Sequence, residues 1–87
     1  MRLLIRAFGR IQPIVDRGVV LSASPRGLVI RTVDGANLAF RVTLRTRIRW
    51  RGLPATMAAV RPGRVVDVAH TRAGVAIRIA VRARRVL

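Results

Sequence analysis

An all-β fold, a small sandwich or barrel, is predicted by three features of this chain. Val, Ile and Thr are abundant, while Glu and Lys are absent and Gln and Met scarce, which favours strands over helices. Apolar and polar residues alternate with the strand period from Ala36 to Trp50 and again from Val75 to Val81. Turn signals built on Gly, Pro and Asp recur at intervals of roughly eight to twelve residues. Eighty-seven residues make one domain, residues 1–87, with a modest core. The hydrophobic fraction of 52% is too high for a disordered basic tail.

The first strand is expected over Leu4 to Val15, and because Gly9 and Pro13 interrupt it, it should be bent or bulged, or lie on an edge. Asp16-Arg17-Gly18 reads as a turn, and Val19 to Ser22 as extended chain. Ser24-Pro25-Arg26-Gly27 is the next turn. The strand Leu28 to Val33 follows, with Leu28 and Ile30 on one face and Val29, Arg31 and Val33 on the other. Asp34-Gly35 is a hairpin turn, because Gly accepts the positive φ that a two-residue loop needs.

The returning strand, Ala36 to Leu44, places Ala36, Leu38, Phe40, Val42 and Leu44 inward. Arg45 to Arg51 keeps that phase, with Thr46, Ile48 and Trp50 inward and the arginines outward. Gly52-Leu53-Pro54 breaks the chain, and Ala55 to Val60 is one short helix closed by Pro62-Gly63. Arg64 to Thr71 is a strand, and Ala73-Gly74 a turn. The last strand, Val75 to Ala83, turns Val75, Ile77, Ile79 and Val81 inward, and Arg78, Arg82 and Arg84 to the other face.

Charge is the strongest pointer to function. All 18 basic residues are arginine, set against Asp16, Asp34 and Asp67, for a net charge of +15. Base composition in the coding DNA explains Arg in place of Lys, but not the scarcity of acids. Three carboxylates cannot neutralise 18 guanidiniums, so self-repulsion opposes the free compact state and a polyanionic partner relieves it. Arg matches phosphate with a planar fork and can stack on bases, which points to nucleic acid, RNA or DNA.

Other chemistries find little here. No cysteine is present, which excludes disulfides and thiolate metal sites. One His and three dispersed Asp give no metal cluster. Paired carboxylates, a P-loop and a Gly-rich dinucleotide loop are absent. The expectation is therefore a protein that is not an enzyme and needs no cofactor. Met1 to Phe8 begins like a signal peptide, but Arg6 breaks its apolar run, and no 18-residue apolar span exists for a membrane crossing. If Met1 is the true start, the expected location is the cytoplasm; a removed leader would make it extracellular.

Phe8-Gly9-Arg10-Ile11, the Val42 to Trp50 strand containing Thr46-Arg47-Ile48, and Leu53 to Gly63 closing in Val60-Arg61-Pro62-Gly63-Arg64-Val65-Val66 stand in a set order, followed by Val75 to Ile79. Together they resemble a small bacterial β-barrel family catalogued as a domain of unknown function and related to OB-like barrels. Its pattern is a G-x-I opening, a T-x-I strand end, a turn of Leu-x-Pro-Gly-Asp-x-Val type and a closing Ala-x-x-Ile strand. Arg64 stands where that turn is usually acidic. The resemblance covers nearly the whole chain. It implies an OB-like barrel of five or six strands with one short helix, and a location that is often outside the cytoplasm. It carries no catalytic residues.

Arg41, Arg45, Arg47, Arg49 and Arg51 are the candidate nucleic-acid contacts in the first place. Residues two apart on a strand lie roughly 6.5–7 Å apart on one face, close to the phosphate spacing of a single strand. Arg78, Arg82, Arg84 and Arg85 form a second row. Phe40 and Trp50 fall on inward positions, so the core claims them and phosphate contacts carry binding with little sequence specificity. Asp67 is read as an ion-pair partner for a neighbouring Arg. The function expected is a nucleic-acid-binding module within a larger nucleoprotein assembly. The alternative is a structural protein whose barrels form a homo-oligomer or filament, with arginines facing acidic partners.

Overall fold

Gly, Pro and Asp turns separate eight strands in the computed structural model, which describes residues 2–7 and 10–84, with side chains from Pro13 to Arg82. The strands are β1 (Arg2–Ala7), β2 (Arg10–Ser24), β3 (Gly27–Thr32), β4 (Asn37–Arg41), β5 (Arg47–Trp50), β6 (Leu53–Ala55), β7 (Arg64–His70) and β8 (Ala76–Arg84). A single 3₁₀ turn, Met57–Ala59, precedes β7 and is capped by the Thr56 hydroxyl, which accepts from the Ala58 N–H at 3.3 Å. The fold is all-β.

The sheet runs β4-β3-β2-β7-β8-β5-β6, with β1 paired to the N-terminal half of β2. It curls until its two sides meet. Arg41 at the end of β4 bridges Val75 in parallel, and the Arg41 N–H donates to the Gly74 carbonyl at 2.7 Å. β2, β3, β4, β8 and β7 thus form the wall of a barrel, five strands round with a narrow seam between β4 and β8. β5 continues the course of β4, running parallel to β8 beyond the seam.

Inward positions of these strands fill the barrel. Val20, Leu28, Ile30, Phe40, Val42, Val60, Val66, Val68, Ala76, Ile79 and Val81 form one buried cluster, with Ile48, Trp50 and Met57 packed against it. Leu28, Ile30 and Phe40 are buried as their alternation predicts.

Several elements depart from the sequence reading, each for a physical reason. Leu4 to Val15 is not one strand: β1 and β2 are paired antiparallel there. Of the expected alternatives a bulge is present, since Leu4 pairs Ile14 while Arg6 pairs Ile11. Asp16-Arg17-Gly18 is not a turn but the middle of β2, paired to β7 on one side. Gly18 is there because a Cβ would sit 2.6 Å from the Arg31 carbonyl oxygen. Gly52-Leu53-Pro54 does not break the chain: Arg51 and Gly52, at φ of 54° and 78°, make a two-residue hairpin between β5 and β6.

Three residues expected inward also point elsewhere. On β8, His70 pairs Ala76 while Ala69 pairs Arg78, so Ile77 is an extra residue. That bulge turns Ala76 inward and leaves Ile77 42% exposed, contrary to the expected inward Ile77. Ala36 and Leu44, expected inward, lie in turns flanking β4 and are exposed.

Candidate functional site

Parallel pairing of β5 with β8 decides where the arginines go. Arg47 lies opposite Arg78, and Arg49 opposite Ala80. Directly opposed residues share a sheet face, and neighbouring strands are about 4.8 Å apart. Arg47 and Arg49 from the first predicted row therefore join Arg78 and Arg82 from the second on one outward face. All four are exposed. Arg49 lies opposite the small Ala80, between Arg78 and Arg82, and a terminal nitrogen of Arg49 donates to the Gly52 carbonyl at 3.1 Å.

The border of this face is held by Asp67 on β7. Arg17 of β2 donates to it through Nε at 2.6 Å and through a terminal nitrogen at 3.2 Å, and Arg82 of β8 donates at 3.1 Å. One carboxylate thus ties three strands together, as an ion-pair partner of the kind the sequence suggested. Burial is the largest single influence on Asp67 and opposes its ionisation. The hydrogen bonds and charges of Arg17 and Arg82 together outweigh burial and hold the carboxyl below its usual range. The Arg17 guanidinium is held above its usual value, chiefly by its hydrogen bond to Asp67 and then by that charge. Five guanidiniums, those of Arg17, Arg47, Arg49, Arg78 and Arg82, face one carboxylate, so the face stays strongly positive.

The unbroken row from Arg45 to Arg51 is not observed. Between the pairs Arg41–Val75 and Arg47–Arg78, one side of the seam uses 47 − 41 = 6 residues and the other 78 − 75 = 3. The surplus loops out. Thr43 and Thr46 close that loop: the Thr46 hydroxyl accepts from the Thr43 N–H at 3.0 Å and donates to the Ala76 carbonyl at 2.7 Å. Arg45 rides on the loop, out of line with Arg47, and Leu44 at its tip is fully exposed, 106%. Arg51 leaves the row at the other end because it occupies the left-handed position of the hairpin turn. Of the second row, Arg84 pairs with Arg64 at the backbone, and Arg85 lies outside the described residues.

Arg41 belongs to a different group. The Val42 N–H donates to the Arg26 carbonyl at 2.9 Å, and the Arg41 N–H to Gly74. Two turns, Ser24–Gly27 and Thr71–Gly74, therefore meet at the end of β4, bringing the exposed Arg26, Arg41 and Arg72 to one end of the barrel. A shallow groove lined by Pro25, Arg26 and Arg41 to Leu44 opens beside them. Sequence reading missed Arg26 and Arg72, whose only signal was an Arg within a Gly-closed turn.

Two further groups stand at the barrel interior. His70 Nε2 lies 2.7 Å from Asp16 Oδ2, both side chains almost fully buried, and the Nδ1–H donates to the Thr71 carbonyl at 2.8 Å. The Phe40 ring packs on the imidazole at 4.4 Å between centroids. At the other end, Trp50 is half-buried and carries the Arg64 guanidinium 3.9 Å from its ring centroid. No unpartnered buried side-chain nitrogen or oxygen occurs among the described residues. Among them, no helix is long and apolar enough to cross a membrane.

No family model matches the chain. No curated protein and no solved structure matches it either.

Proposed function

We propose that this barrel is a non-enzymatic module that holds nucleic acid by its phosphate backbone, with little sequence preference, as one component of a larger nucleoprotein assembly. The observation that carries this reading is the convergence of Arg47, Arg49, Arg78 and Arg82 on one face of β5 and β8. Along β5, the two-residue spacing of Arg47 and Arg49 matches successive phosphates of a backbone laid lengthwise, and Arg78 and Arg82, four residues apart on β8, span about two such steps. Across the strands, the two rows give each phosphate a choice of partners, and Arg17 extends the field over β2. Backbone contacts of this type position a partner without reading its sequence. The Arg26, Arg41 and Arg72 group adds positive potential at the barrel end and favours approach of a polyanion from that side.

The reading is tested by the salt dependence of binding to a short duplex. Each phosphate neutralised should contribute a slope of about −0.9 in log affinity against log salt. Replacing Arg47, Arg49, Arg78 and Arg82 by Gln should lower that slope by about one unit for each phosphate no longer engaged, with the fold retained because no buried residue changes. An unchanged slope in the quadruple variant would place binding elsewhere, and the Arg26, Arg41 and Arg72 group would be tested next.

A further inference from the structure

Trp50 and Arg64 meet at the end of the barrel remote from Arg41. Trp50 follows Ile48 on the inward phase of β5, and Arg64 precedes buried Val66 on the inward phase of β7. The indole packs against the core, and the Arg64 Cζ lies over its ring at 3.9 Å. A guanidinium turned into the apolar interior would lose its hydration without a counter-charge. The order is therefore core, indole, guanidinium, solvent. A terminal nitrogen of Arg64 donates to the Ala59 carbonyl at 3.0 Å, which fixes the plane of the group. Arg51 brings a second guanidinium within 5.5 Å of the same ring.

Among the described residues, this stack differs from the arginines of the sheet face. Arg47 and Arg78 stand free on a sheet face and offer charge. Arg64 is already ordered, half-buried and flat, so its outer side is a planar, weakly hydrated surface before any partner arrives. Arg49 and Trp50 are neighbours on β5 but point to opposite faces of the sheet, so a strand laid along Arg47 and Arg49 meets this surface by turning over the Arg51–Gly52 hairpin at the end of β5. A backbone held through its phosphates leaves its bases free to turn toward the protein only if they are unpaired. In a duplex they are stacked inside.

We propose that the Arg64 guanidinium, held flat on Trp50, is a stacking platform for one unpaired nucleobase of a single strand whose phosphates lie on the Arg47, Arg49, Arg78 and Arg82 face. This inference rests on the phosphate-binding reading above and adds the class of nucleic acid to it.

The test compares dye-labelled oligothymidylate with an abasic strand of the same length and phosphate count, by fluorescence anisotropy at one salt concentration. Stacking of one base on a side-chain platform should make the base-bearing strand bind about tenfold tighter. The salt slopes of the two strands should be equal. Arg64→Lys keeps the charge and loses the plane, so it should bring the two affinities within about twofold. Circular dichroism shows whether that variant keeps its strands, and the comparison in the unaltered protein decides the matter without it. Equal affinities in the unaltered protein overturn the platform and leave the phosphate face standing. Tenfold discrimination that survives in a folded Arg64→Lys variant also overturns it. If neither strand binds with a salt-dependent affinity, both the platform and the phosphate-binding reading fall.

Discussion

A buried imidazole against a buried carboxylate is costly unless both are satisfied. At His70 the Thr71 carbonyl can only accept, so Nδ1–H donates to it, while Nε2 faces Asp16 Oδ2 at 2.7 Å. Removing either partner leaves the other buried without its counterpart. Asp16→Leu or His70→Leu alone should lower unfolding stability by about 3 kcal/mol or more. The double variant should lose less than the sum, with a coupling of about 1–3 kcal/mol in a urea-denaturation cycle. Strictly additive losses would show that the two residues act independently. In the sequence, His70 was a lone His on a strand, and Asp16 looked like part of a turn. Their separation of 54 residues hid the pair, because only the pairing of Ile14 with His70 and Asp16 with Val68 sets them side by side. Gly18 misled in the same way. A Gly two residues after an Asp reads as a turn, yet here it admits the close approach of the β3 backbone.

Strands show best which parts of a sequence are legible. Alternation marked β3, β4 and β5 well, because each buries one face and a slip of one residue would expose it. Bulges were not legible. Nothing local in Val75-Ala76-Ile77-Arg78 distinguishes an inward Ile77 from an extra residue, and only the partner strand shows that two residues oppose one. The β5–β6 hairpin was hidden because Arg occupies the left-handed position usually taken by Asn, Asp or Gly.

The Asp67 clip, which joins β2, β7 and β8, makes a prediction at this scale. Its carboxyl is held below the ordinary value of 3.8, so its contribution is fully present above that pH and is lost as pH falls through the lower folded value. Asp34, lowered mainly by its hydrogen bond from the Thr32 hydroxyl, titrates in the same region, so the difference between two proteins is the useful quantity. The thermal midpoint of the unaltered protein should exceed that of Asp67→Asn near neutral pH. That gap should close below about pH 4. Both arginines are more than half exposed, so the gap corresponds to about 1 kcal/mol or less after screening. A gap that stays constant to about pH 2, below the usual carboxylate range, would mean that Asp67 acts through shape and not charge.

For the molecule as a whole, the all-β class and the basic character were legible, and the position of the charged face was not. The rows Arg45 to Arg51 and Arg78 to Arg85 are far apart in sequence. Their union depends on a parallel pairing that no local pattern encodes, and the departure of Arg45 and Arg51 from the face depends on loop and turn geometry. The seam between β4 and β8 carries one more consequence. The barrel is a ring with a single joint, closed at Arg41 where one backbone bridge stands in for a full ladder. Arg26, Arg41 and Arg72 crowd that joint with like charge, so electrostatics push it open while the rest of the wall is locked by continuous pairing. Breathing should therefore begin there. In hydrogen-exchange measurements by NMR, the Arg41 amide should exchange faster than those of Val66 and Val68. Added salt should slow it by screening the repulsion, and leave the β7 amides nearly unaffected. Exchange at Arg41 that is insensitive to salt would mean that the joint is held by packing alone. If the dependence is as expected, the ionic composition around the protein sets how often this ring is open.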